Sequence, residues 1–194
     1  MQTFAVGISG ASGSVLAKRA VEWLLGRSYR VLLTATDAAA RVWADELESE
    51  LGASVAGWSR TGLLRYYGPA EIGAPIASGT YPVAGMLVIP ASMATVSAIA
   101  HGTSSNLLTR AADVSIKERR RLVLVPRETP LSAIHLQNLL TLAQLGVVIL
   151  PPIPAFYLRL RGVDDVVDFI VARALDALGV PDALAPQQRY KGEE

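Results

Sequence analysis

Short apolar runs alternate with longer amphipathic stretches along this chain. Thr3–Ile8 is an uncharged apolar run, and the pattern from Val15 to Leu25 after it has helical spacing. Tyr29–Thr34 repeats the run and is followed by a helical stretch through about Leu51 that carries Trp43. Residues 58–79 are punctuated by Gly and Pro and predict irregular chain. Gly85–Pro90 predicts a third buried strand, with a helix of small residues after it. Leu107–Glu118 predicts a helix, Leu122–Pro126 a fourth strand, Leu131–Leu145 a helix and Val147–Leu150 a fifth strand. In the last helix, Val163–Leu178, the residues Val166, Val167, Ile170, Val171, Ala174 and Leu178 fall on one side.

Strands that are apolar without alternation, separated by helices, imply a parallel sheet covered on both faces. Its crossovers are expected to be right-handed. The expected fold class is α/β: a doubly wound, mostly parallel sheet flanked by helices, Rossmann- or flavodoxin-like, in a single domain. That domain is expected over residues 1–180. Residues 181–194, with Pro181, Pro186 and Gly192, read as a C-terminal arm packing on the site or on a neighbouring subunit.

Charge is segregated along the same pattern. No Asp, Glu, Lys or Arg occurs between Ile72 and Thr109, or between Thr129 and Leu158. Between those stretches lies a dense block that includes Arg110, Asp113, Lys117, Glu118, Arg119, Arg120, Arg121, Arg127 and Glu128. Charges beside apolar surface are costly unless something pairs with them, so this arrangement suggests an anion handled at the edge of a dry environment.

Composition narrows the picture. At 194 residues one domain suffices. Charged residues are 18% of the chain, below the roughly 25% usual for soluble domains. The surplus apolar surface is expected in subunit contacts. A net charge of +1 gives no general reason to bind nucleic acid or an anionic membrane. There is no Cys, and only His101 and His135 offer imidazole, so no metal site is expected. Prolines at 75, 82, 90, 151, 152 and 154 break the charge-free stretches, which argues against a membrane span. The first residues lack the basic start of a secretory signal, and a cytoplasmic location is expected.

Ligands of open α/β sheets sit beyond the carboxyl ends of the strands. The loops expected there include Gly10-Ala11-Ser12-Gly13, whose glycines would let N–H groups approach a phosphate. Thr36 follows the second strand, and Ser92, Met93 and Thr95 follow the third. These hydroxyls fit ligand contact and equally fit routine helix caps. Arg127 and Glu128 emerge from the fourth strand between Pro126 and Pro130. Glu128 is a candidate general base if burial raises its pKa. Residues 151–157 place prolines before Phe156 and Tyr157, a rigid apolar wall with one phenol. Arg173 interrupts the apolar face of the last helix. Arg119, Arg120 and Arg121 read as a solvated face without a role.

Taken in order, these segments resemble the UbiX-type flavin prenyltransferases, within the flavin-containing Cys decarboxylase-like proteins. The resemblance is carried by residues 10–13, 72–79, 106–113, 117–120 and 122–130, with residues 134–136 and 171–173 adding to it. It implies transfer of a dimethylallyl group from dimethylallyl phosphate to N5 and C6 of reduced FMN. The product, prenylated FMN, would serve a UbiD-type decarboxylase. Mapped onto this chain, it implies FMN contacts from Gly10, Ala11, Ser12, Gly13, Thr36, Ser92, Met93, Thr95 and Arg127. It implies donor-phosphate contacts from Arg110, Lys117, Tyr157 and Arg173, with Glu128, Lys117, Tyr157 and Arg173 active in the reaction. It also implies sites between subunits of a homododecamer and no metal. Three positions depart from the family pattern. Ala91 stands where Cys is common, Asp37 where Lys is common, and Tyr190 is the candidate for a Trp that closes the prenyl pocket. The alternatives are an FMN-dependent phosphopantothenoylcysteine-type decarboxylase, disfavoured by the lack of Cys, and a non-catalytic FMN-binding protein.

Overall fold

A computed structural model describes residues 1–189. One sheet of six parallel strands organises the chain in the order β3-β2-β1-β4-β5-β6. The strands are β1 (Thr3–Ile8), β2 (Arg30–Ala35), β3 (Leu64–Tyr67), β4 (Gly85–Ala91), β5 (Arg121–Pro126) and β6 (Val148–Ile149). The helices are α1 (Ser14–Gly26), α2 (Asp37–Leu47), α3 (Leu51–Ser59), α4 (Met93–Ala100), α5 (Leu107–Lys117), α6 (Ala133–Gln144) and α7 (Val163–Leu178). The chain winds outward from β1 in both directions, so the strand order reverses between β1 and β4 and opens a crevice at their carboxyl ends.

Side-chain alternation divides the core in two. Phe4, Val6, Ile8, Leu87, Ile89, Val123 and Val125 pack against α1, α2, α3 and α7. Ala5, Met86, Val88, Leu122 and Leu124 pack against α4, α5 and α6. Both faces are apolar, which is why these strands read as continuous runs. Trp43 is fully buried and meets Trp58 edge-on, with ring centroids 5.8 Å apart.

The structure differs from the sequence expectation in two places. A sixth strand, β3, lies inside the stretch expected to be irregular. The single helix expected through about Leu51 is two, broken at Glu48, whose φ of 49° is left-handed and ends α2. Within residues 181–189, Ala183 and Leu184 are buried in the core cluster that includes α7.

Candidate functional site

Four loops meet at the carboxyl edge. Ser9, at the end of β1, is buried; its hydroxyl donates to the Pro90 carbonyl at 3.0 Å and accepts from the Ser92 N–H at 2.7 Å. The Arg127 N–H donates to the Ala91 carbonyl at 3.2 Å, and its Nε donates to the Ser12 carbonyl at 3.3 Å. The Thr36 N–H donates to the Ile8 carbonyl at 3.0 Å. The loops after β1, β2, β4 and β5 are thus tied to one another by hydrogen bonds across the switch point.

The three glycines of the β1 region serve different ends. A Cβ on Gly7 would stand 2.9 Å from Leu108 Cγ, so Gly7 admits α5 against the sheet. A Cβ on Gly10 would collide with the Ala38 side chain, so Gly10 admits the start of α2. Gly13, with φ 117°, is left-handed and turns the chain into α1.

The hydroxyls act first as caps. Thr36 Oγ1 accepts from the Ala39 N–H at 3.1 Å, and Ser92 Oγ accepts from the Thr95 N–H at 3.2 Å while donating to Thr95 Oγ1 at 3.1 Å. Thr36 and Thr95 use only lone pairs in these contacts, so each retains an O–H to donate to a ligand. Met93 is buried behind this cap. Arg127, Thr36, Ser92 and Thr95, with the N-termini of α2 and α4, form a donor-rich edge suited to a phosphate and to flavin carbonyl groups.

One group at this edge was invisible in the sequence. The Glu46 carboxylate, from α2, sits on the N-terminus of α1. It accepts from the Gly13 N–H at 3.0 Å and the Ser14 N–H at 2.7 Å. Burial pushes its carboxyl upward, but hydrogen bonds from the Ser12 hydroxyl, the Ser14 and Gly13 N–H groups and the Ser14 hydroxyl outweigh this and hold it below its ordinary value. The anion seat expected for a phosphate at Gly10–Gly13 therefore already holds the chain's own carboxylate.

Among the residues expected around the donor phosphate, Lys117 lies at the opposite edge of the sheet. Lys117 ends α5 at the amino edge of the sheet, just before β5, whereas Arg127 follows the carboxyl end of β5. Six residues of strand rise separate those ends by about 20 Å. Arg110 is two turns from Lys117 on the same stripe of α5 and pairs with Asp113 at 3.1 Å. Arg173 lies on α7, whose Leu178 meets the start of β4, and pairs with Asp176 at 2.8 Å. Tyr157, on a 3-10 turn at Phe156–Leu158, is 59% exposed. Glu128 is exposed and accepts the Thr129 N–H at 3.0 Å. Tyr190 lies outside the described residues. Ile134, Leu140, Ile153 and Phe156 are exposed on and near α6, between 50% and 83%. Among the described residues no helix is long and apolar enough to cross a membrane.

The whole chain resembles known proteins. The Flavoprotein family model matches residues 1–175. The flavin prenyltransferase UbiX of Synechocystis sp. is 48% identical over 98% of this chain and 97% of its own length. AnUbiX, solved with FMN and dimethylallyl pyrophosphate, is 35% identical with a TM-score of 0.90, covering 100% of this chain and 99% of that one. The dodecameric FMN-dependent UbiX-like decarboxylase of Escherichia coli O157:H7 is 38% identical with a TM-score of 0.89, covering 98% and 100%. The chain belongs to the flavoprotein family and, within it, to the UbiX flavin prenyltransferases.

Proposed function

We propose that this enzyme transfers a dimethylallyl group from dimethylallyl phosphate to N5 and C6 of reduced FMN, and that the prenylated FMN passes to a UbiD-type decarboxylase. The observation that carries the reading is the hydrogen-bonded carboxyl edge, where Arg127, Thr36 and the Ser92–Thr95 pair face the switch-point crevice. Its relative AnUbiX was solved with FMN and dimethylallyl pyrophosphate, which supports both ligand classes.

Reduced FMN, when bound, supplies the nucleophilic positions N5 and C6. Thr36, Ser92, Thr95 and Arg127 would hold it with their free donors. Gly10, Ala11, Ser12 and Gly13, whose loop is closed by Glu46, would shape the wall around it together with Met93. When the donor C–O bond breaks, its electron pair leaves with the phosphate. Arg110, Lys117 and Arg173 neutralise that charge, and Tyr157 donates a hydrogen bond to it. Arg110 and Arg173 each have a carboxylate beside them in the chain, Asp113 and Asp176. Exposed pairs of this kind contribute little, so exchanging them for a phosphate costs little. The Glu128 carboxylate would accept the N5 proton, and the released phosphate would protonate the prenyl double bond and then take the C6 proton as the second bond forms. The charge-free walls at 72–109 and 129–158 exclude water from the allyl cation as it develops.

Because Lys117 and Arg127 stand at opposite ends of β5, a complete site draws them from different copies. We place those sites in a homododecamer, in line with the dodecameric relative and with the exposed α6 residues. The enzyme is placed in the cytoplasm, with its receiving decarboxylase. The test is anaerobic incubation with FMN, a reductant and dimethylallyl monophosphate or diphosphate. Mass spectrometry of the extracted flavin should show an added C5 unit; unchanged FMN with both donors overturns the reading.

A further inference from the structure

Gly79 closes the Ile72–Gly79 stretch, which has no task in the reaction so far. It lies against the C-terminal end of α5. Its carbonyl accepts a hydrogen bond from the Arg120 guanidinium. A Cβ at this position would collide with the Glu118 carboxylate and stand 2.8 Å from Lys117 Nζ. Glu118 and Lys117 are themselves ion-paired. Gly79 is not among the glycines with positive φ, so what its missing side chain leaves here is room for the Glu118 and Lys117 side-chain ends rather than a conformation.

The Lys117–Glu118 pair is unusual in its spacing. Adjacent residues on a helix do not face each other. Here Glu118 leaves the helix as its C-cap, with φ −86° and ψ 3°, and Arg119 follows at φ 54°. That turn swings the carboxylate back over the Lys117 ammonium, and Arg120 anchors it to the Gly79 carbonyl. Both side chains are well exposed, so the pair adds little to stability. What the arrangement does provide is direction. A lysine ammonium sits on a flexible four-carbon stem with three rotatable donors. Tying one donor to Glu118 fixes the tilt of the other two.

We infer that Gly79 and Glu118 are positioning residues for Lys117: the bare Cα of Gly79 leaves room for the Glu118 carboxylate, which aims the Lys117 ammonium at the donor phosphate. This rests on the reading above that Lys117 binds that phosphate. It gives the Ile72–Gly79 stretch a specificity role toward the phosphate donor and none toward FMN.

The experiment compares Gly79→Ala, Glu118→Gln and Lys117→Ala in the full-length assembled enzyme. It reads kcat and KM for dimethylallyl monophosphate, FMN affinity by fluorescence, and Tm. The atoms a Gly79 methyl would displace are the ends of flexible side chains, so the fold should survive. Gly79→Ala and Glu118→Gln are expected to raise donor KM about ten-fold, the scale of a lost oriented charge contact. FMN affinity and Tm should stay unchanged. In the Lys117→Ala background, adding Gly79→Ala should change nothing further. If Lys117→Ala raises donor KM while the other two leave it unchanged, the inference is overturned and the phosphate role of Lys117 stands. If Lys117→Ala itself leaves donor KM unchanged, that role fails and the inference falls with it.

Discussion

Ser9 and Ser92 share one oxygen: the buried Ser9 hydroxyl accepts the Ser92 N–H at 2.7 Å while donating to the Pro90 carbonyl at 3.0 Å. The two turns flanking the switch point are therefore set by a single side chain. Ser9→Ala strands the Ser92 N–H, at a cost of about 1–3 kcal/mol. Urea unfolding should show that loss, and FMN titration should show weaker binding. A variant with unchanged FMN affinity would remove Ser9 from the positioning of the site.

Arg127 is half-buried and spends Nε on the Ser12 carbonyl, leaving its other donors for a ligand. Arg127→Ala should weaken FMN binding by roughly 10–100-fold, the range for a hydrogen bond to a charged group. Isothermal titration checks this.

Glu46 has a lowered folded-state pKa, so its contribution is present above the ordinary carboxylate value of 4.5 and is lost as pH falls through the lowered one. Glu46→Gln should therefore destabilise the protein near neutral pH and have progressively less effect as pH falls below 4.5. Unfolding midpoints across that range read the difference. A penalty that does not shrink with acid would show that the carboxylate charge is not what holds α1.

Complementation tests whether Lys117 and Arg127 come from different copies. At donor and FMN concentrations that just saturate the unaltered enzyme, Lys117→Ala and Arg127→Ala assemblies should each turn over slowly. Co-refolding the two should restore part of the activity, because mixed assemblies contain some sites with both residues intact. If one chain supplied both residues, each site in the mixture would carry a defect and no activity would return.

Glu128→Gln should retain FMN binding and slow the step that releases the N5 proton. Stopped-flow absorbance under anaerobic conditions separates the two. Normal turnover in this variant would remove Glu128 from the mechanism.

Much of the architecture was legible because five strands are apolar on both faces and leave continuous runs. β3 was not, because it is an edge strand with Arg65 and Tyr66 exposed and Gly and Pro close by. The α2–α3 break was hidden because Glu48 takes a left-handed conformation that glycine usually signals. Ser12, Thr36, Ser92 and Arg127 follow strand ends, so topology alone brought them together. Glu46 is 33 residues from its partner Gly13, and nothing local marks it as a cap. Lys117 and Arg127 pose the opposite problem: ten residues apart in sequence, they are held apart by a strand that no local pattern can fold back.

The exposed apolar side chains Ile134, Leu140, Ile153 and Phe156 also have a consequence for a newly made copy. If the proposed assembly covers these side chains, a chain that has not yet assembled is sticky, and its first encounter decides between productive docking and clumping. Both fates grow with concentration. Yield of usable enzyme should then depend on how quickly chains leave the ribosome relative to how quickly they find the correct face, so slow, cool expression should favour it over strong induction.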